Sequence, residues 1–281
     1  MGIYLNPGSM RFQMSLNSEI YVDKTVMIKY LNTVVNTNQR YACVSRPRRF
    51  GKSIAADMLC AYYGEGDSRA LFQQTDLGNQ VGWDLYLNRF DVVSIVMTDF
   101  IRKGKDVGKA MELMTQRVLS ELEEKYPDVK NDPTDLPYSM GRYYQKTKRQ
   151  FVVIMDEWDA VFRECVEDKD GQTLYLDFLR NWFKDKEYIA LAYMTGILPI
   201  KKYGKHSALN MFDEYSVMAP MQLAPFTGFT DAEVRELCNT YGRDYEKIKE
   251  WYDGYDVSDV VPPDGNYGIR RENGGVLKPK H

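Results

Sequence analysis

Short apolar runs and helical periodicities alternate along most of the chain. Four runs are typical of buried strands, because they are short, apolar and almost free of charge. They cover residues 41–45, 91–97, 151–155 and 188–195. Helical patterns separate these runs, so their order predicts an α/β fold, with a parallel sheet that helices cover on both faces.

Three helices are predicted from apolar residues that recur on one face. The first covers residues 23–38, and Asp23 or Thr25 is its expected capping residue. The second is long, begins near Val107 and ends near Pro127. A further helical stretch, residues 138–148, leads into the third apolar run.

The pattern changes after residue 227, where short helices with charged faces replace the long elements. Thr230 and Glu233 have the spacing of a capping box at the start of one such helix, and residues 245–252 form another. Residues beyond 254 are rich in Pro, Gly and Asn, so we expect a loose tail. The predicted parts are a main α/β domain over 1–225, a partial helical lid over 226–255 and a loosely ordered tail over 256–281.

Composition narrows the classes of function. The chain has 37 Lys and Arg against 40 Asp and Glu, a formal net charge of −3, so no overall basic field favours nucleic acid. The 2 histidines leave little material for a histidine metal site or triad. The 4 cysteines form no C-x-x-C pair, and no apolar run approaches the ~20 residues that span a bilayer. We therefore expect a soluble, cytoplasmic protein with reduced cysteines.

Residues 46–53 read Arg-Pro-Arg-Arg-Phe-Gly-Lys-Ser and lie between the first apolar run and a helical pattern. This is the context of a phosphate-binding P-loop, whose helix start offers N–H groups to phosphate. Lys52 is predicted to reach the β- and γ-phosphates and Ser53 to ligate Mg²⁺. Arg46 stands where the pattern G-x-x-x-x-G-K-[ST] has its first glycine. The predicted nucleotide contacts are Arg48, Arg49, Phe50, Gly51, Lys52, Ser53 and Ile54.

A second candidate motif ends the third apolar run with two carboxylates, Asp156 and Glu157. In a nucleotide-hydrolysing fold, Asp156 would lie beside Ser53 and hold Mg²⁺, and Glu157 would polarise the attacking water. The alternative is a core strand followed by a helix whose acidic first turn complements the helix dipole. The order of the two motifs favours the nucleotide interpretation.

The loop arginines have two interpretations. Arg48 and Arg49 have the chemistry for phosphate recognition, and a role on the γ-phosphate like that of an internal arginine finger is one hypothesis. Pairing with acids elsewhere on the surface is the other.

Several segments together resemble one group, the bacterial AAA-ATPase-like proteins, which often carry a PD-(D/E)XK nuclease-like domain after the ATPase. The resembling segments are residues 21–25, 46–53, 156–159, 195–198, 207–210 and 251–255. The arginine-bearing loop is a trait of this group. The resemblance implies that Gly51, Lys52 and Ser53 bind phosphates and Mg²⁺, that Asp156 and Glu157 serve hydrolysis, and that Thr195 is a strand-end sensor.

Two assignments that the resemblance implies, for Thr195 and for residues 21–25, have structural alternatives. Thr195 has the residue type of a turn or capping threonine, and residues 21–25, which contact the base in related ATPases, include a possible helix cap. Two departures limit the resemblance. Pro199 stands where many relatives have an arginine, and the chain from residue 256 is unlike them, so we expect no nuclease activity.

The resulting prediction is a protein that binds ATP with Mg²⁺, hydrolyses it slowly and acts as a nucleotide-dependent switch. One alternative is a non-catalytic ATP-binding module. Another is a nucleic-acid-interacting protein whose arginine-bearing loop meets DNA or RNA phosphates, and a small-molecule kinase is weaker because no acceptor site is visible in the sequence. Besides ATP, the candidate partners are nucleic acid and a nuclease-like protein.

Overall fold

A computed structural model describes residues 1–200, 209–217, 219 and 221–251 of the protein. Its centre is a five-stranded parallel sheet with the strand order β2-β3-β4-β1-β5. The strands are β1 (Tyr41–Ser45), β2 (Asp91–Val96), β3 (Phe151–Asp156), β4 (Ile189–Gly196) and β5 (Asp213–Tyr215). The predicted α/β class and parallel sheet are therefore confirmed.

Helices surround the sheet in the described part of the chain. They are α1 (Met10–Leu16), α2 (Met27–Val34), α3 (Lys52–Tyr63), α4 (Arg69–Gln73), α5 (Met97–Gly104), α6 (Val107–Lys125), α7 (Leu136–Thr147), α8 (Ala160–Glu164), α9 (Lys169–Phe183), α10 (Asp231–Thr240) and α11 (Tyr245–Trp251). Short 3-10 helices cover Asp76–Asn79 and Met221–Phe226.

The four strands β1 to β4 are buried on both faces of the sheet, which explains why they are apolar at nearly every position. Along β3, Val152 and Ile154 face a core that includes residues of α1, α2 and α3. The alternate residues Val153 and Met155 face a second core built with α5 to α9. The two cores hold the sheet between two helical layers, as the alternation of strands and helices predicts.

The predicted cap of the helix before β1 is wrong. The N-cap of α2 is Val26, and its side chain makes no capping hydrogen bond. The Asp23 carboxylate instead accepts from the backbone N–H of Thr25 at 2.7 Å and of Asp76 at 2.8 Å. The Thr25 hydroxyl accepts from the Leu77 N–H at 3.1 Å. These side chains join the segment before α2 to the 3-10 helix Asp76–Asn79. The helix α2 therefore begins only at Met27, and it is shorter than the predicted residues 23–38.

The other predicted boundaries agree with the structure more closely. The helices α6 and α7 correspond to the two helices that were predicted to end near residues 127 and 148. The second apolar run ends as a strand at Val96, because Met97 begins α5. The capping box of Thr230 and Glu233 is confirmed at the start of α10. The predicted tail, residues 256–281, lies outside the described residues.

The start of β2, at the end opposite to the predicted site, holds a buried charge network. Asp91 is fully buried, and its carboxylate accepts from Asn6 Nδ2 at 2.9 Å and from the Tyr126 hydroxyl at 2.6 Å. Lys125 and Arg149 form ion pairs with the same carboxylate. A buried carboxylate with this many partners ties the first residues, α6 and the loop before β3 to the sheet.

We predict that Asp91→Ala lowers the free energy of unfolding by about 3 kcal/mol, since it leaves several buried donors without an acceptor. Urea denaturation followed by circular dichroism measures this change. Asp128→Ala is the control, because Asp128 is exposed and its substitution should cost less than about 0.5 kcal/mol. Equal stability of the two variants would contradict the structural role of Asp91.

Candidate functional site

The candidate site lies where the carboxyl ends of three neighbouring strands meet. The strand β4 lies between β1 and β3, with Ser45 paired to Gly196 and Met155 paired to Met194. The chain leaves β1 directly into residues 46–51 and then enters α3. Parallel strands end at the same edge of a sheet, so the loop, the end of β4 and the acids after β3 converge.

The loop before α3 turns sharply, and its start is anchored beside β4. The Arg46 N–H donates to the Gly196 carbonyl at 3.0 Å, which fixes the start of the loop beside β4. Gly51, the N-cap of α3, has φ +75°, and Arg49 has φ +71°. Left-handed backbone is unfavourable for arginine, and such strain is concentrated at functional loops. The predicted strand, loop and helix are thus all present.

Lys52 lies at the first position of α3 with its side chain folded over the loop. Its Nζ donates to the carbonyl of Arg46 at 2.9 Å and of Pro47 at 2.7 Å. Burial lowers the pKa of Lys52, and the nearby carboxylate of Asp156 opposes this shift. The ammonium group is therefore held at the centre of the loop, where an incoming phosphate would meet it.

Asp156, the last residue of β3, links the ends of β3 and β4 to the start of α3. Its carboxylate accepts from the Ser53 hydroxyl at 2.6 Å and from the hydroxyl of Thr195. The Glu157 N–H also donates to it, at 2.9 Å. The structure thus brings together Ser53, Asp156 and Thr195, which are far apart in sequence.

The oxygens of Ser53 and Asp156 fit the chemistry of Mg²⁺. A hydroxyl and a carboxylate are hard oxygen ligands, and Mg²⁺ usually takes one or two protein ligands together with phosphates and waters. The described residues contain no cluster of three or more acidic, histidine or cysteine side chains that would form a complete protein cage. The pair therefore suits a metal that arrives with a phosphate ligand.

Glu157 follows Asp156 in a strained conformation, with φ +53°. Its carboxylate accepts a hydrogen bond from the Thr98 hydroxyl, and Arg163 Nη2 lies 3.5 Å away. The next N–H, of Trp158, donates to the Thr195 carbonyl at 3.0 Å and fixes the turn. The sequence patterns did not predict a contact of Thr98 or Arg163 with the acid, since both come from elements that were not recognised.

Arg46, at the position of the missing glycine, directs its guanidinium away from the loop interior. It is 4% exposed and donates to the Thr227 hydroxyl at 3.0 Å, to the Ser45 carbonyl at 3.0 Å and to the Tyr215 carbonyl at 2.7 Å. Burial lowers the pKa of Arg46 to about 10, so the group is still charged at neutral pH. The sequence shows that an arginine replaces the glycine, but it does not show the contacts that the arginine side chain makes.

The remaining predicted loop contacts differ in their surroundings. Arg48 and Arg49 are exposed, and neither forms an ion pair with a carboxylate in the part of the chain that the structure describes. The Phe50 ring packs against Gly228, and the Phe50 carbonyl accepts from the Gly228 N–H at 3.2 Å. Ile54 lies in the first turn of α3 with its side chain 45% exposed.

A polar cleft of about 290 Å³ opens beside this cluster. Ser53, Asp156 and Glu157 line it together with Arg11 and Asp57. Burial raises the pKa of Asp57, and Arg11 opposes that shift from a distance of 3.9 Å. The cleft gives solvent and ligands access to the hydroxyl and carboxylate oxygens.

The parallel sheet, the loop at the start of α3 and the acids at the end of β3 define a P-loop nucleotide-binding protein. A profile of the AAA-ATPase_like family, described as "Predicted AAA-ATPase", matches residues 8–205. The chain therefore belongs to this family, as the resemblance of its loop and acidic motifs implied.

Individual relatives are more distant. The chain is 26% identical over 247 residues to an uncharacterised protein in the vnfD 5′ region of Azotobacter chroococcum mcd 1, which covers 84% of this chain. The chain spans 45% of the length of that relative.

Three solved structures are also similar. The Aeropyrum pernix ORC1 protein, solved in complex with DNA, has a TM-score of 0.44 at 10% identity and covers 78% of this chain and 48% of its own. PCH-2 of C. elegans has a TM-score of 0.38 at 14% identity, over 91% and 55% of the two chains. Drosophila ORC bound to AT-rich DNA and Cdc6 has a TM-score of 0.34 at 13% identity, over 88% and 86%.

No helix in the described ranges is both long enough and apolar enough to cross a membrane.

Close packing at the end of β4 generates a prediction. A Cβ atom on Gly196 would lie 2.7 Å from Trp158 Nε1 and 2.9 Å from Asp159 Oδ1, so Gly196→Ala should lower the free energy of unfolding by about 1–3 kcal/mol. Gly108→Ala in α6 is the control, because its Cβ would meet only the Asp106 carboxylate at 3.5 Å. Thermal denaturation measures the melting temperatures of both variants. Similar melting temperatures would contradict the close packing inferred around Gly196.

Proposed function

We propose that the protein binds ATP with Mg²⁺, hydrolyses it slowly and works as a nucleotide-dependent switch. The observation that carries this proposal is the 2.6 Å contact between Ser53 and Asp156 at the start of α3. A P-loop protein needs a hydroxyl and a carboxylate at this place, next to a lysine that reaches the phosphates. The family membership supports the nucleotide, and the geometry supports the metal and the roles of the side chains.

The phosphates would bind at the N-terminus of α3, where backbone N–H groups and the helix dipole favour negative charge. Lys52 would exchange the carbonyls of Arg46 and Pro47 for β- and γ-phosphate oxygens. Ser53 and Asp156 would hold Mg²⁺, which when bound neutralises charge on those oxygens. The exposed side chains of Arg48 and Arg49 would add positive charge from the outer side of the loop.

Hydrolysis would depend on the two residues that flank this pair. Glu157 would take a proton from the attacking water, and the Thr195 hydroxyl would orient the water or the γ-phosphate. Glu157 accepts from Thr98 through Oε2, so turning the carboxylate toward a water would cost this contact, which favours slow turnover. The open cleft supports the same expectation, since access of bulk water weakens electrostatic stabilisation of the transition state.

We predict that Lys52→Ala weakens binding of a fluorescent ATP analogue in the presence of Mg²⁺ by at least about tenfold, because it removes a charged contact to phosphate worth about 1.5–3 kcal/mol. Fluorescence anisotropy measures the affinity. Lys148→Ala is the control, since Lys148 follows α7 and is not a site residue. Unchanged affinity of Lys52→Ala would reject the P-loop assignment.

Glu157→Gln separates binding from chemistry. We expect it to bind the nucleotide as the wild type does and to release phosphate at least about a hundredfold more slowly, the effect expected for loss of a general base. Phosphate release is followed on the same samples, with Glu164→Gln as the exposed control. If the wild type binds ATP but releases no phosphate, the non-catalytic ATP-binding module replaces the ATPase.

Arg49→Ala tests the loop arginines. We expect several-fold weaker binding of the ATP analogue and slower turnover, because the guanidinium contributes positive charge at the phosphates. Arg89→Ala removes an exposed arginine elsewhere and should change neither quantity. Wild-type binding and turnover in Arg49→Ala would contradict a γ-phosphate role for this residue.

A nucleic-acid-interacting protein is the second candidate, and the exposed Arg48 and Arg49 are the observation that supports it. In that case the pair would bind DNA or RNA phosphates, and the affinity would fall steeply with salt. A titration with a labelled oligonucleotide at two salt concentrations compares this alternative with ATP binding. A nuclease-like partner remains a proposal by resemblance only.

A further inference from the structure

Arg46 belongs to the phosphate-binding loop by its backbone and to another part of the fold by its side chain. Its carbonyl accepts from Lys52 Nζ, and its N–H donates to Gly196. Its guanidinium donates to the Thr227 hydroxyl and to the carbonyl of Tyr215 in β5. The proposed nucleotide chemistry gives this buried side chain no task, so it needs a separate explanation.

The Thr227 hydroxyl lies near the start of the C-terminal segment, defined here as residues 225–250, which includes α10. Two further contacts join the same segment to the nucleotide side of the molecule. Gly228, with φ +79°, lies so close to Phe50 that a Cβ atom would be 2.8 Å from the ring. Lys24 Nζ donates to the Pro225 carbonyl at 2.6 Å and forms an ion pair with Glu233 at the first turn of α10.

The guanidinium of Arg46 is charged, buried and bonded only to neutral oxygens among the described residues. A buried charge without a carboxylate partner is costly, and the cost is tolerated when its hydrogen bonds are all in place. Loss of the Thr227 contact would therefore disturb the conformation of Arg46. Because Lys52 is bonded to the carbonyl of the same residue, the disturbance would reach the phosphate-binding lysine.

We propose that Arg46 is a positioning residue that ties the phosphate-binding loop to the C-terminal segment, so that nucleotide binding and docking of this segment stabilise each other. The inference rests on the proposed nucleotide function and adds a mode of regulation to it. When the segment is docked, the Thr227 contact holds Arg46, and with it the start of the loop, in the arrangement that places Lys52 for phosphate. Coupling of this kind is reciprocal, so a docked segment favours nucleotide binding to the same degree.

The test compares Thr227→Val, which keeps the shape but removes the hydroxyl, with Thr227→Ser, which keeps the hydroxyl. Thr240→Val makes the same change at an exposed position of α10 and is the matched control. Backbone hydrogen exchange is measured in residues 46–53 and 225–250, without nucleotide and with saturating Mg·ADP. Affinity for Mg·ADP is measured separately by calorimetry.

The proposal expects faster exchange in both regions of nucleotide-free Thr227→Val, and wild-type rates in Thr227→Ser and Thr240→Val. It also expects Mg·ADP to slow exchange of the C-terminal segment in the wild type, and Thr227→Val to bind Mg·ADP roughly fivefold or more weakly, the lower end of typical coupling.

Two results would overturn the proposal, and they are distinguishable. Wild-type affinity in Thr227→Val, with the same nucleotide-induced protection of residues 225–250, would reject the coupling and leave nucleotide binding intact. Absence of Mg·ADP and Mg·ATP binding in the wild type itself would reject the proposed function and the coupling with it.

Discussion

The shared end of three parallel strands is the constraint on which the site depends. Because β4 lies between β1 and β3, the Asp156 carboxylate comes within hydrogen-bond reach of both Ser53 and Thr195. A shift of one residue in either strand pair would turn these side chains to the opposite face of the sheet. The two apolar cores on its faces fix that register, and so the packing of the sheet maintains the geometry of the site.

The helix after the loop gives this geometry its charge. Lys52 and Ser53 are consecutive at the start of α3, where unpaired N–H groups and the helix dipole already favour an anion. Lys52 is held by two loop carbonyls, so a phosphate needs only to replace neutral acceptors and does not have to break an ion pair. The cluster therefore combines a positive helix start with hydroxyl and carboxylate oxygens, the combination that a metal-bound polyphosphate requires.

The sequence was sufficient to predict the fold class, four of the strands and the position of the loop, since uninterrupted apolar runs are the signature of a parallel sheet. It was insufficient for β5, a three-residue strand with half-buried positions at its start, which has no apolar run to mark it. The helix α9 also escaped prediction, although its buried residues recur on one face, because polar and charged residues interrupt its pattern.

For the site too, local motifs could be predicted from the sequence and contacts between distant residues could not. The loop and the acids of β3 are local motifs, readable in order along the chain. The contacts of Thr98 with Glu157 and of Arg46 with Thr227 join residues that are far apart in sequence, and only the packed structure brings them together. Asp23 illustrates the opposite error, because a side chain suited to a helix cap binds a neighbouring 3-10 helix instead.

The most direct test of the central claim is an experimental structure of the protein with Mg²⁺ and a non-hydrolysable ATP analogue. The account predicts triphosphate at the N-terminus of α3, Lys52 Nζ bonded to phosphate oxygens and the metal ion between Ser53 and Asp156. A nucleotide bound elsewhere, or a triphosphate that leaves Lys52 on the carbonyls of Arg46 and Pro47, would contradict it.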